Sequence, residues 1–175
     1  MARHDPLPKD LPDNAHELAD HAEAVLRRIE RAGLSVATAE SCTGGLIASL
    51  FTDIEGLSSN FERGFVTYSV EAKCELLGIE PVFIQRHGVV SSEVARAMAE
   101  GALAHSHAGI ALGVTGFAGK AGPGDEAGLV FLAVARKGRP TRVRECHFGD
   151  VGRDKARLFT ARAALEMLEG SLEPA

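Results

Sequence analysis

Ser41 is the residue of this chain whose type and surroundings best suit covalent chemistry. It lies in the segment Thr38-Ala-Glu-Ser-Cys-Thr-Gly-Gly45, after an apolar stretch and just before two glycines. If a helix starts there, the hydroxyl lies beside backbone N–H groups that no helical carbonyl satisfies, and beside the positive end of the helix dipole. Such N–H groups can stabilise the oxyanion that forms when a hydroxyl attacks a carbonyl carbon. Taken alone, the segment fits a plain serine helix cap more often than a nucleophile.

A nucleophilic serine needs a base, because its free hydroxyl is barely ionised at neutral pH. Tyr68 is the single tyrosine and ends a predicted strand, and Lys73 follows it at about one helical turn. A lysine of lowered pKa, or a tyrosine beside a lysine, can accept a proton from a serine hydroxyl. Lys73 alone also fits a solvated helix residue that pairs with Glu71 or Glu75. Both residues are therefore candidate bases, and for Lys73 a solvated position on the helix surface is the alternative.

Glycines next to the candidate nucleophile suit a site where a ligand comes close to the backbone. Gly44 and Gly45 follow Ser41, and Thr115-Gly116 ends a predicted strand and opens a Gly-rich loop over residues 116–128. Gly119-Lys120 within that loop is followed by Ala121, where a phosphate-binding loop needs Ser or Thr. A nucleoside triphosphate site is therefore not expected.

The charge balance disfavours a large nucleic acid as the partner. The 175 residues contain 19 Lys and Arg against 24 Asp and Glu, for a formal net charge of −5, whereas a nucleic-acid backbone favours a basic face. An acidic chain can still contain a local basic pocket for a small phosphorylated ligand. The candidates for such a pocket are Arg63, Lys120 and Arg153.

Cysteine usage and hydropathy indicate a cytoplasmic protein. The three cysteines are far apart, odd in number and without a Cys-x-x-Cys pair, so neither a disulfide framework nor a zinc site is expected; they are Cys42, Cys74 and Cys146. No stretch is apolar for long enough to span a bilayer, and the polar, Pro-rich start is not a secretory signal.

Predicted strands and helices alternate along the chain, which indicates a layered α/β domain. The predicted strands are residues 34–39, 64–68, 109–114, 129–134 and 142–148. The predicted helices start near Asp13, after Ser41, at Glu71 and at Ser91, and the last one contains Leu158 and Leu168. We expect residues 1–12 to be a flexible lead and residues 13–175 to form a single domain. Ser41, Tyr68 and Thr115 then meet at the carboxyl edge of the sheet, where ligands of open α/β sheets gather.

Several segments together resemble one family, the C-terminal domain of the competence/damage-inducible protein CinA, which includes stand-alone nicotinamide mononucleotide deamidases. They occur in family order, and the similarity extends from about Ala19 to the last helix. The segments are Thr38-Ala-Glu-Ser-Cys-Thr-Gly-Gly45, Phe61-Glu-Arg-Gly-Phe-Val-Thr-Tyr68, Glu71-Ala-Lys73, Gly88-Val-Val-Ser91 and Val114-Thr-Gly116.

The resemblance implies an activity, a fold and a set of site residues. The activity is hydrolysis of the carboxamide of nicotinamide mononucleotide to nicotinate mononucleotide and ammonia, without metal or cofactor. The fold is a three-layer α/β/α domain on a mainly parallel mixed sheet. The domain is expected in a homo-oligomer. Its partner is a small nucleotide rather than nucleic acid or membrane. Ser41 is implied as the nucleophile, activated by Tyr68 and Lys73. The implied substrate-binding residues are Thr43, Gly44, Gly45, Arg63, Thr115 and Gly116.

The chain departs from the family pattern at three places. Val70 stands where Asn is common, the loop after Thr115 is shorter than usual, and the family's Gly-Asp-Arg appears as Gly149-Asp150, with two further residues before Arg153. Two alternatives to a serine amidohydrolase follow from the residues. Cys42 is a second possible nucleophile, because a thiolate at a helix start is reactive. The other alternative is a non-catalytic nucleotide- or partner-binding module associated with competence or DNA damage.

Overall fold

The computed structural model describes residues 15–119 and 122–173, so the predicted lead over residues 1–12 and the side chain of Lys120 lie outside it. The strands of this part are β1 (Val36–Glu40), β2 (Phe61–Val66), β3 (Ile110–Gly116), β4 (Leu129–Arg136) and β5 (Arg142–His147). Its helices are α1 (Ala15–Arg31), α2 (Leu46–Thr52), α3 (Val70–Leu77), α4 (Pro81–His87), α5 (Ser92–Ala104) and α6 (Arg153–Leu172), with a 3₁₀ turn at Ser58–Asn60. None of these helices is both long and apolar enough to cross a membrane.

The strands form one mixed sheet in the order β2-β1-β3-β4-β5. Strand β1 pairs in parallel with β2 and β3, whereas β4 runs antiparallel to β3 and β5. In the register of the parallel strands Glu40 lies opposite Val66 and Val114. The chain segments that follow these three positions therefore leave the sheet at one edge, as the sequence predicted for Ser41, Tyr68 and Thr115.

Helices cover both faces of the sheet, which confirms the predicted α/β/α fold. One face carries bulky buried side chains such as Val36, Ile110 and Leu112, which pack with α1, α2 and α6. The other face is built from small residues such as Ala37 and Ala111, which pack with α3, α4 and α5. The alternation arises because successive side chains of a strand point to opposite faces.

The small face brings a helix into direct contact with the sheet backbone. A Cβ atom on Gly113 of β3 would lie 2.5 Å from both the carbonyl oxygen of Ala95 and the amide nitrogen of Ala99 in α5. Glycine is therefore required at this position by the close approach of helix to strand. The same layer contains α3, the helix that carries Lys73.

Element boundaries differ from the sequence predictions at two places that bear on the site. Helix α2 begins at Leu46 rather than directly after Ser41, because Gly44 and Gly45 have φ angles of 62° and 94° and keep the chain out of the right-handed helical region. Strand β2 ends at Val66, so Tyr68 lies beyond the strand instead of within it.

Helix α4 was not predicted from the sequence. It has seven residues and starts at Pro81, which occupies the first helical turn. A proline there is a helix start signal, since its missing N–H would have no intrahelical partner anyway. The helix is too short to show a helical repeat of apolar residues.

Candidate active site

Ser41 lies at the carboxyl edge of the sheet, in the connection of residues 41–45 between β1 and α2, hereafter the Ser41 loop. Its N–H donates to the carbonyl oxygen of Val114 in β3 at 3.1 Å, which extends the pairing of the two strands by one residue. Its side chain is nearly buried. The residue that caps α2 is Gly45, so Ser41 is not the helix cap that its sequence context alone suggests.

Lys73 contacts Ser41 directly. Helix α3 starts after Ser69, whose hydroxyl accepts the N–H of Ala72, and Lys73 lies in the first helical turn. Its amine nitrogen Nζ lies 3.1 Å from Ser41 Oγ and 2.7 Å from the carbonyl oxygen of Thr67. The carbonyl oxygen of Tyr68 completes this set at 3.2 Å. The structure therefore brings the predicted nucleophile and one predicted base within hydrogen-bond distance.

Burial shifts the protonation equilibrium of Lys73 towards the neutral amine. Its side chain is fully buried, and burial lowers the pKa of the amine below its ordinary value. Among residues 15–119 and 122–173, no carboxylate forms an ion pair with it. A neutral amine has two N–H groups and one lone pair. In that form the two carbonyl oxygens can accept the N–H groups, and the lone pair can accept the hydroxyl proton of Ser41, whereas a protonated amine donates to all three oxygens.

Tyr68 reaches this centre through its backbone rather than its phenol. The carbonyl group contacts Lys73, whereas the side chain is 69% exposed and lines the pocket in front of Ser41. The phenolic oxygen makes no hydrogen bond to any residue of the described part of the chain. A role for the phenol in activating Ser41 therefore stays a prediction.

A pocket of about 730 Å³ opens in front of Ser41. Two predicted substrate residues, Thr115 and Gly116, line it, and the Thr115 hydroxyl donates to the carbonyl oxygen of Val89 at 2.9 Å. That bond joins β3 to the connection between α4 and α5. The remaining described lining is Cys42, Tyr68, Gly88, Val89, Val90, Phe117, Ala118, Gly119, Gly124, Asp125, Glu126, Leu129 and Arg153.

Arg153 is the one cationic side chain of the described lining, since Lys120 lies outside the described residues. A Cβ atom on Gly119 would lie 2.9 Å from its guanidinium group, so the arginine rests against the glycine-rich loop. Arg63 is elsewhere: it bonds Glu62 at 2.7 Å and the carbonyl oxygen of His105 at 3.0 Å, on the edge strand β2. The basic group that the pocket offers is therefore Arg153 rather than Arg63.

Three further predicted substrate residues belong to the Ser41 loop and do not line the described pocket. Thr43 is fully buried, and Gly44 and Gly45 form the left-handed turn that leads into α2. Val70, the departure from the family pattern, is the first residue of α3 and packs on the core of the small face. It too is absent from the described pocket lining.

Two residues that bear on the Ser41 loop escaped the sequence analysis, Glu40 and Arg157. The fully buried Glu40 carboxylate accepts backbone N–H groups at the start of α2. A charged residue inside a buried strand was its sequence signal, since a buried charge requires partners. The Arg157 guanidinium donates to the carbonyl oxygen of Thr43. No local sequence pattern indicates that contact, because it joins residues far apart in the chain.

Cys42 lines the pocket beside Ser41, but its thiol is poorly suited to attack. Burial raises its pKa to about 12, and the negative charge of Glu40 adds to this effect. The reactive form of cysteine is the thiolate, which is scarce at neutral pH when the pKa is raised. In the described part of the chain, no group of three or more His, Cys, Asp or Glu residues is arranged to hold a metal ion.

The chain is similar to proteins of one family over most of its length. A family model described as the CinA C-terminal domain matches residues 18–172. The nicotinamide-nucleotide amidohydrolase PncC of Escherichia coli is 43% identical over 155 residues, which cover 87% of this chain and 93% of that protein. A CinA-like protein of Myxococcus xanthus is 44% identical over 155 residues, 87% of this chain but 36% of that protein.

Relatives of two lengths occur among these matches. The chain spans 36%, 28% and 36% of three longer curated relatives, from Caldicellulosiruptor bescii, Symbiobacterium thermophilum and Myxococcus xanthus. Among solved structures, the competence/damage inducible protein CihA of Agrobacterium tumefaciens is 40% identical, with a TM-score of 0.87 over 95% of this chain and 100% of that one. A CinA superfamily protein from Escherichia coli superposes with a TM-score of 0.82 at 29% identity, over 91% of this chain and 94% of that one.

Proposed function

Because the chain belongs to the CinA C-terminal domain family, we propose that it hydrolyses the carboxamide of nicotinamide mononucleotide to nicotinate mononucleotide and ammonia. The observation that carries the proposal is the 3.1 Å contact between Lys73 Nζ and Ser41 Oγ beside the pocket. The name of the Escherichia coli relative, which this chain covers almost completely, supports the choice of a nicotinamide nucleotide.

The reaction proceeds in two halves through an acyl-enzyme. In the first half, Lys73 takes the hydroxyl proton while Ser41 Oγ attacks the carboxamide carbon, and the tetrahedral intermediate collapses as the C–N bond breaks. Lys73 returns the proton to the departing nitrogen, which leaves as ammonia. In the second half, a water molecule gives a proton to Lys73 and attacks the ester. The C–O bond to Ser41 then breaks, and the serine oxygen recovers its proton.

The N–H groups that could hold the oxyanion are fewer than the sequence suggests. The N–H of Gly44 donates to the Ser41 carbonyl at 3.2 Å, and that of Gly45 to the Glu40 carboxylate at 3.1 Å. Within the described residues, the N–H groups of Cys42 and Thr43 donate to no backbone carbonyl. We therefore assign the oxyanion to the N–H of Cys42, which follows the nucleophile directly and lines the pocket, whereas Thr43 is fully buried and does not line it.

Tyr68 takes part in this scheme from the pocket side. Its carbonyl oxygen accepts one N–H of neutral Lys73 and so helps to hold the lone pair on Ser41. Its exposed phenol lines the pocket, where it can contact the pyridine ring of the substrate or pass a proton at its rim. A cytoplasmic location, which the cysteine usage indicates, and a homo-oligomeric state, which the family resemblance implies, complete the proposal.

Arg153→Ala is expected to raise KM for nicotinamide mononucleotide at least about tenfold, with a smaller change in kcat. The reason is that Arg153, the cation of the described lining, would bind the substrate phosphate. A hydrogen bond between two charged groups is about twice as strong as a neutral one. Steady-state ammonia release measures both constants. Nicotinamide riboside, which lacks the phosphate, is the matched control substrate, and its KM should hardly change. An equal loss for both substrates would contradict phosphate binding by Arg153.

Cys42→Ala is expected to keep at least about half of the wild-type activity, because a thiol with its pKa raised to about 12 supplies little thiolate at neutral pH. For the same reason, iodoacetamide should react with Cys42 more slowly than with Cys74, which is more exposed. Ammonia release and mass spectrometry of the alkylated protein measure these effects. Loss of activity in Cys42→Ala, with Ser41→Ala still active, would make Cys42 the nucleophile.

Ammonia release from a panel of carboxamides decides between an amidohydrolase and the binding module that the sequence left open. The panel contains nicotinamide mononucleotide, nicotinamide riboside, nicotinamide and glutamine. We expect release from the mononucleotide to be the fastest. Binding of the mononucleotide without release of ammonia from any member would support the binding module and reject the enzyme.

A further inference from the structure

The Ser41 loop is held by groups that lie outside it. Its own contribution is one backbone bond, from the Gly44 N–H to the Ser41 carbonyl. The Thr43 hydroxyl is buried and makes no hydrogen bond to a described residue. Two consecutive left-handed glycines add no side chain that could fix the turn. A loop of this composition has many conformations open to it unless neighbouring elements select one.

Glu40 holds the end of the loop where it enters α2. One carboxylate oxygen accepts the N–H groups of Gly45 and Ile47, each at 3.1 Å, and the other accepts that of Ala48 at 2.8 Å. The carboxylate is fully buried, and no described residue forms an ion pair with it. These three N–H groups satisfy the buried carboxylate. In turn, the carboxylate supplies the acceptors that N–H groups at the start of a helix otherwise lack.

Arg157 holds the middle of the loop. Its guanidinium, in the second turn of α6, donates to the Thr43 carbonyl oxygen through Nε at 3.1 Å and through Nη2 at 2.5 Å. The Leu46 N–H donates to the same oxygen at 3.2 Å. Two donors of one planar guanidinium thus converge on this oxygen and restrict its position, whereas an ammonium group acts as a point charge.

We infer that Glu40 and Arg157 are positioning residues that hold the Ser41 loop in its reactive conformation. Neither touches the pocket, and they act on the hydroxyl of Ser41 through the backbone of residues 43–45. Burial is the main cause of the raised pKa of the neighbouring Cys42, and the negative charge of Glu40 adds to it. The inference rests on the proposed role of Ser41, and its test separates the two.

The test compares Arg157→Lys and Arg157→Ala in three measurements. These are kcat and KM for ammonia release, the rate at which a fluorophosphonate probe labels Ser41, and affinity for the product nicotinate mononucleotide. We expect labelling and kcat to fall on the order of tenfold in the lysine variant and about a hundredfold in the alanine variant, because a small misplacement of reacting groups costs that much. Product affinity should stay within about twofold. Arg162→Lys, which changes another arginine of α6 that bonds Glu166, is the matched control.

Glu40→Gln tests the other end of the loop. A glutamine has one acceptor oxygen, and its NH₂ group would face backbone N–H groups that already need acceptors. We expect faster hydrogen exchange at the amides of Gly45, Ile47 and Ala48, with slower labelling of Ser41. Should this variant fail to fold, Arg157→Lys carries the test, because Arg157 is only half-buried.

The outcomes distinguish the inference from the proposed function. If the probe fails to label wild-type Ser41, the proposed nucleophile is wrong, and amide exchange in the Ser41 loop then decides the positioning roles. If wild-type Ser41 is labelled and the arginine variants are labelled equally fast, the positioning role of Arg157 is overturned. A rise in KM with unchanged kcat and labelling would overturn it as well, since that pattern belongs to a substrate contact.

Discussion

Ser41→Ala is expected to lower ammonia release from nicotinamide mononucleotide by at least about a thousand-fold, because removing the proposed nucleophile leaves only the catalysis that binding and oxyanion stabilisation provide. Wild-type and variant protein are compared under saturating substrate, with ammonia measured by a coupled assay. The fold should persist, because alanine removes one nearly buried hydroxyl and keeps the backbone bond to Val114.

Two controls make the result for Ser41→Ala specific. Affinity for nicotinate mononucleotide should stay within a few-fold of the wild type, which shows that the pocket is intact. Ser69→Ala, in the cap of α3, is the matched hydroxyl deletion: it weakens a helix cap without touching the reacting atoms. Undiminished ammonia release from Ser41→Ala would reject acyl transfer through this residue.

Lys73→Met is expected to lower kcat by about a hundred- to ten-thousand-fold, the usual contribution of a general base. Methionine has a length similar to that of lysine and suits a buried site, so the packing of α3 is preserved while the amine is removed. Single-turnover kinetics with the mononucleotide separate this loss in the chemical step from any change in binding. A variant that keeps wild-type kcat would show that another group takes the serine proton.

The pH dependence offers a second measure of Lys73. With the neutral amine as the proposed base, kcat should rise as Lys73 loses its proton, and this rise should lie below the ordinary lysine value of 10.5, because burial lowers its pKa. The stability of the fold is also expected to rise with pH through Lys73. The unfolded chain binds this proton up to a higher pH than the native protein does, so the free energy of unfolding should increase with pH between the two pKa values. Lys73→Met should lose both dependences.

The fold was predictable from the sequence because its elements carry strong signals. Apolar strands separated by helical repeats indicated a layered α/β domain, the family resemblance added the three α/β/α layers, and Ser91 marked a helix start that the structure confirms. The edge where Ser41, Tyr68 and Thr115 meet followed from strand direction alone. The boundaries of the helices were less predictable. The start of α2 depends on the backbone angles of Gly44 and Gly45, and because glycine can adopt many angles, the sequence is compatible with a helix start at several positions.

The sequence indicated some of the residues that the structure brings together, such as Ser41 and Lys73, but not their contacts. The sequence proposed Lys73 as a base, yet it also allowed a solvated lysine, and only the packing of α3 decides that the amine is buried beside Ser41. Arg157 and Thr43 are bonded although 114 positions separate them, so no local pattern indicates their contact. Glu40 was inside the segment that carries the family resemblance, but its capping of α2 depends on where the helix starts.

The antiparallel pairing of β3 with β4 has a consequence for how this site can change. The loop between them is closed at its base by bonds from the Phe117 N–H to Leu129 and from the Gly128 N–H to Phe117, both at 2.8 Å. Closing a flexible loop costs only about 0.6 kcal/mol more for each doubling of its length. Insertions and deletions here can therefore reshape the substrate side of the pocket at little cost in stability, while Ser41 and Lys73 stay fixed on other elements. The shape of the pocket can therefore differ among relatives while the contact between Ser41 and Lys73 stays the same.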